Sequence, residues 1–557
     1  MNMPSAETGE TTAPKTDNNW WRGAVIYEIY PRSFQDTDGD GIGDLRGITQ
    51  RLRYLADLGV DAIWVAPFFV SPMLDFGYDV SDYTAVDPMF GTIEDFDRLV
   101  AEAHGLGIKV MIDQVLSHSS DRHPWFAQSR ANRTNPKADW YVWADPKEDG
   151  TPPNNWLSIF GGPAWEWDTR RLQYYLHNFL VAQPDLNFHN PEVQDAILDA
   201  VDFWLKRGVD GFRLDTVNFY VHSRGLEDNP PASLADRQSP EAPAVNPYNW
   251  QDHVHDKSQP ENLDFLRKLR ALLDTYPGQT SVGEIGDGPR SLTTMAAYTS
   301  GGDKLHMCYT FDFLSPIFTA GHFRERIAAF EAIVEDGWPC WAFSNHDVTR
   351  HASRWAAHGG AERVARLAAG ILLSLRGSVC LYQGEELGLT EATLRFEELA
   401  DPYGIRFWPE YVGRDGARTP MVWESNAPNA GFSAGARSWL PVSPDHVSKA
   451  ANSAAGNPAS MLSHYRRLLA FRRAHPALKS GTIALMDAPP EVLAFIRSQD
   501  DERILCVFNL GALESRFKIP EHLAVVPLDG HGFSSRLESE VRAIDIPAGE
   551  AFFGLIA

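Results

Sequence analysis

The sequence predicts a TIM (β/α)8 barrel with an inserted subdomain after strand 3 and a C-terminal antiparallel β domain. Three observations predict it: short apolar runs recur from residue 25 to residue 386, amphipathic helical stretches lie between them, and charged residues gather where the runs end. Strands alternating with helices make a parallel sheet, and eight of them favour a closed barrel over an open one.

Segment 1–19 is polar, rich in Thr, Pro and Glu, and is expected to be disordered. It has neither the basic start nor the apolar stretch of a signal peptide. The strand candidates follow: VIYEIYP from Val25, DAIWVAP from Asp61, IKVMIDQV from Ile108, GFRLDTV from Gly211, TSVGEI from Thr280, MCYTFDF from Met307, CWAFSNHD from Cys340 and SVCLYQGEE from Ser378. Each is short, apolar and rich in β-branched or aromatic residues, as buried strands are. Helical patterns at Asp44 to Gly59, Thr92 to Gly107 and Val193 to Gly208 each end on a glycine suited to a C-cap.

Barrel segments are therefore expected at 20–118 and 184–475, separated by a Pro-, Asn- and Trp-rich subdomain at 119–183 that is too long for a loop. Residues 224–260 and 391–457 read as long excursions above the barrel face, where loops shape access to a site. After a helix near Met461 to Ala474 the pattern turns strand-like (EVLAFIRS, RILCVFNL, EAFFGLIA), which places a separate β domain at 476–557.

With 50 Lys and Arg against 74 Asp and Glu, the net charge of -24 repels nucleic-acid phosphates and anionic membranes. A neutral ligand suits it better. No run is long and apolar enough to span a membrane. The four cysteines, Cys308, Cys340, Cys380 and Cys506, lack metal or redox spacing, so neither zinc nor disulfides are expected. Together these features point to a cytoplasmic protein.

The chemistry gathers at strand ends: Asp113 and His118, Arg213 and Asp215, Glu284, then His346 and Asp347. In a TIM barrel those ends form the catalytic rim. Two carboxyl groups on neighbouring strand ends are what glycosidic cleavage through an oxocarbenium-like transition state requires. Arg213, two residues before Asp215 on the same strand face, is expected to keep that carboxylate ionised and nucleophilic. Glu284, between Gly283 and Ile285, is expected to hold its proton for a leaving oxygen. His118, His346 and Asp347 are placed to bond sugar hydroxyls, and Phe160, Phe179 and Phe219 are candidate apolar walls or core residues. No cofactor is required for this chemistry, and a small neutral sugar is the expected substrate.

In DQVLSH from Asp113, GFRLDTV from Gly211, GEIGD from Gly283 and FSNHDV from Phe343, in that order, the chain resembles the α-amylase family, glycoside hydrolase family thirteen. The resemblance implies Asp215 as nucleophile, Glu284 as acid/base and Asp347 as transition-state stabiliser. It further implies that Asp79, His118, Arg213 and His346 hold the terminal glucose, with Tyr78 stacking beneath it. The segments QPDLN from Gln183, GYDV from Gly77 and GRDGARTPMVW from Gly413 resemble the oligo-1,6-glucosidase and α-glucosidase branch, in which Arg414 contacts the terminal sugar. Ser117 departs from the family's usual Asn before the histidine. In this branch the residue after the nucleophile tracks linkage; Thr216 implies α-1,4 preference, with α-1,6 as the alternative. NFYVHSRGLEDN from Asn218 and the GEIGD form resemble bacterial α-glucosidases noted for glucosyl transfer.

A Gly-rich loop carries alternating carboxylates, Asp36, Asp38, Asp40 and Asp44, which with the Ile42 carbonyl are expected to bind one structural divalent cation, Ca2+ or Mg2+. The expected function is a retaining α-glucosidase acting on maltose-like substrates. Rivals are a glucosyl isomerase or transferase, such as a trehalose synthase or a sucrose-acting enzyme, and a non-catalytic scaffold; the scaffold disagrees with the complete set of carboxylates.

Overall fold

The computed structural model describes residues 17–238, 241–538 and 541–557. Residues 1–16 of the expected disordered segment lie outside the described residues, and Trp20 just beyond it is tied down by its indole N–H, which bonds Gly278 O at 2.7 Å.

Eight parallel strands form the barrel: β1 (Val25–Ile29), β2 (Ala62–Val65), β3 (Lys109–Gln114), β4 (Gly211–Leu214), β5 (Thr280–Ile285), β6 (Met307–Thr310), β7 (Cys340–Ala342) and β8 (Ser378–Tyr382). The pairing runs β6-β5-β4-β3-β2-β1-β8-β7, and a parallel bridge between Cys308 and Pro339 links β6 to β7. Nearly every strand residue is buried, as expected of strands covered inside by packed side chains and outside by helices.

Helix α1 (Leu45–Leu58) starts at Asp44, whose side chain accepts the Gly47 N–H, and stops at Gly59, where φ is 99°. That left-handed turn is the conformation glycine adopts without strain. The other two expected C-cap glycines fall just outside their helices. Helix α2 (Ile93–Gly105), with a Thr92–Asp95 capping box, is capped by Leu106, and α3 (Pro191–Leu205) by Lys206. Gly107 and Gly208, both at positive φ, instead turn the chain toward the next strand.

Between β3 and α3 the chain forms a helix (Pro124–Ala131) and a small antiparallel sheet of Trp143–Ala144, Gln173–Leu176 and Trp165–Asp168 around Trp156 and Trp165. Beyond the barrel, helix Met461–Ala474 leads into a five-stranded antiparallel sheet and a three-stranded one. Buried Arg472 on that helix bonds the carbonyls of Gly23, Leu373, Gly377 and Leu478, fastening it beneath β1 and β8. Among the described residues no helix is long and apolar enough to cross a membrane.

Candidate active site

The C-terminal ends of the barrel strands surround a cavity of about 270 Å³ whose lining includes Asp215, Glu284 and Asp347. Parallel pairing of β4 with β5 aligns Arg213 with Val282 and Leu214 with Gly283, so the next step in register sets Asp215 beside Glu284. Neighbouring strands lie about 4.8 Å apart. Directly after Asp215 the chain turns sharply at Thr216, where φ is 41° and ψ 49°. A β-branched residue in this left-handed region carries strain, which clusters at functional sites. The turn points the Thr216 N–H at Glu284 Oε2, 3.3 Å away.

Arg213, fully buried, is the hub of this cluster. Its Nη1 contacts both oxygens of Asp113 at 2.9 and 3.0 Å and Asp215 Oδ1 at 2.7 Å, while Nη2 contacts Glu284 Oε2 at 2.6 Å. The Tyr309 hydroxyl, itself accepting from Arg213, donates to Glu284 Oε1 at 2.8 Å. One cation thus serves three carboxylates. Burial pushes Asp215 up to about 7 against the pull of Arg213, with Asp113 and Asp347 adding repulsion. Glu284 is likewise pushed up to about 7 by burial, opposed by Arg213 and reinforced by Asp215 and Asp347. The Arg213 guanidinium favours the ionised form of Asp215, but it is shared among three carboxylates, and desolvation outweighs a shared charge. With one proton between the two carboxyls, the pair has an acid and a base at neutral pH.

Asp347 behaves differently. Burial opposes its ionisation, but His346, Arg414 and Arg418 outweigh burial and hold it well below the usual carboxylate range. Arg414 Nη1 and Arg418 Nη2 both bond Asp347 Oδ1, at 3.0 and 2.8 Å. A permanently charged carboxylate is what a developing oxocarbenium and its neighbouring hydroxyls require.

The sugar contacts expected of Asp79 are not made from its position. Asp79, fully buried, accepts hydrogen bonds from Ser71 Oγ and from the backbone N–H groups of Leu74 and Asp75, bracing a turn, and it is absent from the cavity lining. Asp75 faces the cavity instead, accepting from Arg414 Nη2 at 2.8 Å and from Gln183 Nε2 at 3.1 Å. Both acids flank the same Phe-Gly-Tyr triplet, and only the turn decides which one faces inward. The sequence reading missed Asp75; its signals were its place three residues before Tyr78 and the Gln183 that opens QPDLN.

Tyr78, His118, Phe160, Phe179, Thr216 and Arg414 all line the cavity. Arg213 and His346 lie one layer below it, so their expected direct hold on glucose becomes a hold on the wall. His346 stacks on Tyr78 with ring centroids 5.3 Å apart, while its Nδ1 bonds Glu28 and its Nε2 lies 2.7 Å from the Tyr78 hydroxyl. Burial pushes His118 down to about 4, which leaves a neutral ring able to accept or donate at neutral pH. Ser117 contacts His118 Nδ1 at 2.8 Å and Thr216 Oγ1 at 3.1 Å, so a hydroxyl bridges strands β3 and β4 where an amide was expected.

Phe160, Phe179 and Phe219 join Tyr403 in one apolar cluster, and all four also border the cavity. They are therefore both core and wall.

In the acidic loop, carboxylate oxygens of Asp36, Asp38 and Asp40 lie within 4.8 Å of one another. Asp36 is steadied by the N–H groups of Asp38, Gly39 and Gly41, and the Ile42 N–H donates to Asp40. Asp44 stands apart: its oxygens accept from Gly47 N, Thr37 N and Thr37 Oγ1, capping α1. Asp44 thus supplies the acceptor that the orphan N–H groups of α1 need, whatever its part in cation binding.

Residues 28–481 match the α-amylase family, catalytic domain. The chain is 59% identical to a probable α-glucosidase of Rhizobium meliloti (strain 1021) over 98% of its own length and 99% of that protein's. The crystal structure of an α-glucosyl transfer enzyme, XgtA, superposes with a TM-score of 0.94 at 53% identity, covering 97% of this chain and 99% of that one. The trehalulose synthase MutB from Pseudomonas mesoacidophila MX-45 superposes at 0.86 with 34% identity, over 97% and 99% of the two chains.

Proposed function

Since the chain belongs to the α-amylase family, with its catalytic domain at residues 28–481, we propose that it is a retaining α-glucosidase with glucosyl-transfer activity. It releases glucose from the non-reducing end of short α-1,4-linked substrates such as maltose. One observation carries this reading: Asp215 and Glu284 share a single guanidinium in a cavity that the Asp75–Arg414 ion pair also lines. The shared cation and adjacent strands favour the roughly 5 Å carboxyl separation of a retaining enzyme over the wider inverting one. A cavity lined by that ion pair favours a chain terminus over an internal bond.

Protonated Glu284 gives its proton to the glycosidic oxygen as Asp215 Oδ attacks C1, forming a glucosyl ester and freeing the leaving sugar. Asp347 and the hydroxyl partners around it stabilise the charge on the ring. Glu284, now a carboxylate, takes a proton from water or an alcohol, whose oxygen attacks C1 as Asp215 departs. The α-1,4 preference rests on Thr216, whose hydroxyl is held toward Asp215 Oδ2 at 3.3 Å.

The acidic loop is proposed to hold one Ca2+ or Mg2+ through Asp36, Asp38, Asp40 and Asp44 with the Ile42 carbonyl, a donor set of hard oxygens suited to either ion. Its role there is structural. Cytoplasmic residence is part of the proposal and draws support from four buried free thiols.

Time-resolved product analysis with maltose, isomaltose, sucrose and trehalose tests the reading. Initial release of α-configured glucose from maltose, lost in Asp215→Asn, is expected; undiminished turnover in that variant would overturn the nucleophile assignment.

A further inference from the structure

The 224–260 excursion contributes Glu241, Ala242 and Pro243 to the cavity wall, and its described residues include two short 3-10 turns, Asp236–Gln238 and Pro247–Trp250, and one antiparallel bridge, Pro231 with Gln251. Backbone bonds join Ala232 to Trp250 and Asp252 to Pro230, while Glu241 is tied to the strand end by side chains. The strongest tie is Lys257, whose side chain is 2% exposed. Its Nζ donates to Gly286 O at 2.8 Å, Glu241 Oε2 at 3.0 Å and the Tyr248 hydroxyl at 3.1 Å. An ammonium has three protons, and each has an acceptor.

Gly286 stands two residues beyond Glu284 and itself lines the cavity. A Cβ built on it would lie 3.2 Å from Glu241 Cδ and 3.3 Å from Glu241 Oε2, so the Glu241 carboxylate rests directly against this backbone. The other Glu241 oxygen accepts the Gly288 N–H, and Asn218 brackets Gly286 from the β4 side by bonding both its N–H and its carbonyl. Lys257 and Glu241 therefore join the loop wall to the strand end that carries the acid/base.

Glu284, as acid/base, must touch both the departing oxygen and the incoming hydroxyl, so a cavity wall held two residues from it borders the acceptor's path. We propose that Lys257 is a positioning residue that, through Glu241 and Gly286, sets the acceptor-side wall against Glu284 and so governs whether water or a bound alcohol takes the glucosyl group. The inference rests on the retaining mechanism proposed above. In the governed step the acceptor oxygen forms a bond to C1, the C1–O bond to Asp215 breaks, and the acceptor proton passes to the Glu284 carboxylate. A wall that shifts by an ångström loses the acceptor's orientation, whereas water, small and abundant, still reaches C1.

The test measures glucose and benzyl glucoside formed from maltose with benzyl alcohol present, in wild type, Lys257→Met, Lys257→Arg and the double variant Lys257→Met/Glu241→Ala. In Lys257→Met the transfer-to-hydrolysis ratio is expected to fall about tenfold with a raised KM for the alcohol. Lys257→Arg, which keeps a cation for Glu241, is expected to recover part of that ratio. The double variant removes both members of the buried ion pair and carries the test if Lys257→Met fails to fold. A ratio unchanged in folded variants, or transfer and hydrolysis falling in parallel, would overturn the proposal. Wild type releasing no glucose from maltose, or forming no glucoside, would instead overturn the underlying reading.

Discussion

Asp75 and Arg414 lie 339 residues apart in the chain and meet at 2.8 Å in the cavity lining. The same guanidinium reaches Asp347 Oδ1 at 3.0 Å and Asp401 Oδ1 at 2.8 Å. Arg414 therefore couples the wall that limits the substrate to the carboxylate that stabilises the transition state. Through it, a group that binds the terminal sugar and a group that acts on its charge are set by one side chain.

Replacing the two acids of the Asp75 turn is expected to separate binding from stability. Asp75→Ala removes a carboxylate facing the sugar and should lower kcat/KM for maltose about 100-fold, in line with the loss of a hydrogen bond to a charged group, with a small change in Tm. Asp79→Ala leaves the Leu74 and Asp75 N–H groups without their acceptor and should cost about 2 to 4 kcal/mol in stability. Steady-state kinetics beside denaturant unfolding reads both; equal kinetic losses in the two variants would count against this division.

The pH profile follows from the shared proton. With Asp215 and Glu284 both pushed up to about 7, kcat/KM is expected to describe a narrow bell centred near neutrality. On the acid side Asp215 takes a second proton and ceases to attack; on the alkaline side Glu284 loses the proton that the leaving group needs. Glu284→Gln assayed on a donor with a nitrophenolate leaving group, which needs no protonation, should keep the acid limb and lose the alkaline one.

The same shift has a cost in stability. A carboxyl whose folded pKa is raised releases its proton in the unfolded chain first, so folding stability falls as pH rises from the ordinary 4.5 of glutamate to about 7. Glu284→Gln abolishes this loss. The Tm difference between the variant and wild type should therefore grow from pH 4.5 to pH 7 and level off above it; a difference independent of pH would show that Glu284 ionises freely in the folded state.

Removal of the proposed cation should act on the fold and leave chemistry intact. Chelator treatment is expected to lower Tm by several degrees while kcat for maltose at low temperature stays near its starting value, and Asp38→Ala should abolish the chelator effect. Loss of kcat at full Tm would place the ion in the reaction instead.

Much of this protein is legible along the chain because its signals are local. Buried parallel strands announce themselves as short apolar runs, α1 by Asp44 and Gly59 at its ends, and the proposed catalytic carboxylates by falling near the ends of β4, β5 and β7. Barrel geometry then forces those ends onto one rim, which is why Asp215, Glu284 and Asp347 were identifiable without coordinates.

What the sequence by itself determined is thus the order of elements, the barrel and the identity of the groups at its rim, since periodicity, capping and strand length act over a few residues. Tertiary structure alone decided how those groups are shared. Whether Asp75 or Asp79 faces the sugar depends on Arg414 and Gln183 arriving from other parts of the chain. Whether Arg213 serves Asp215 alone depends on Asp113 and Glu284 coming to the same guanidinium, and Asp36 is steadied by Ser433, 397 residues away. Each is a competition for one donor or one charge in a desolvated space, and its outcome depends on distances that no local pattern encodes.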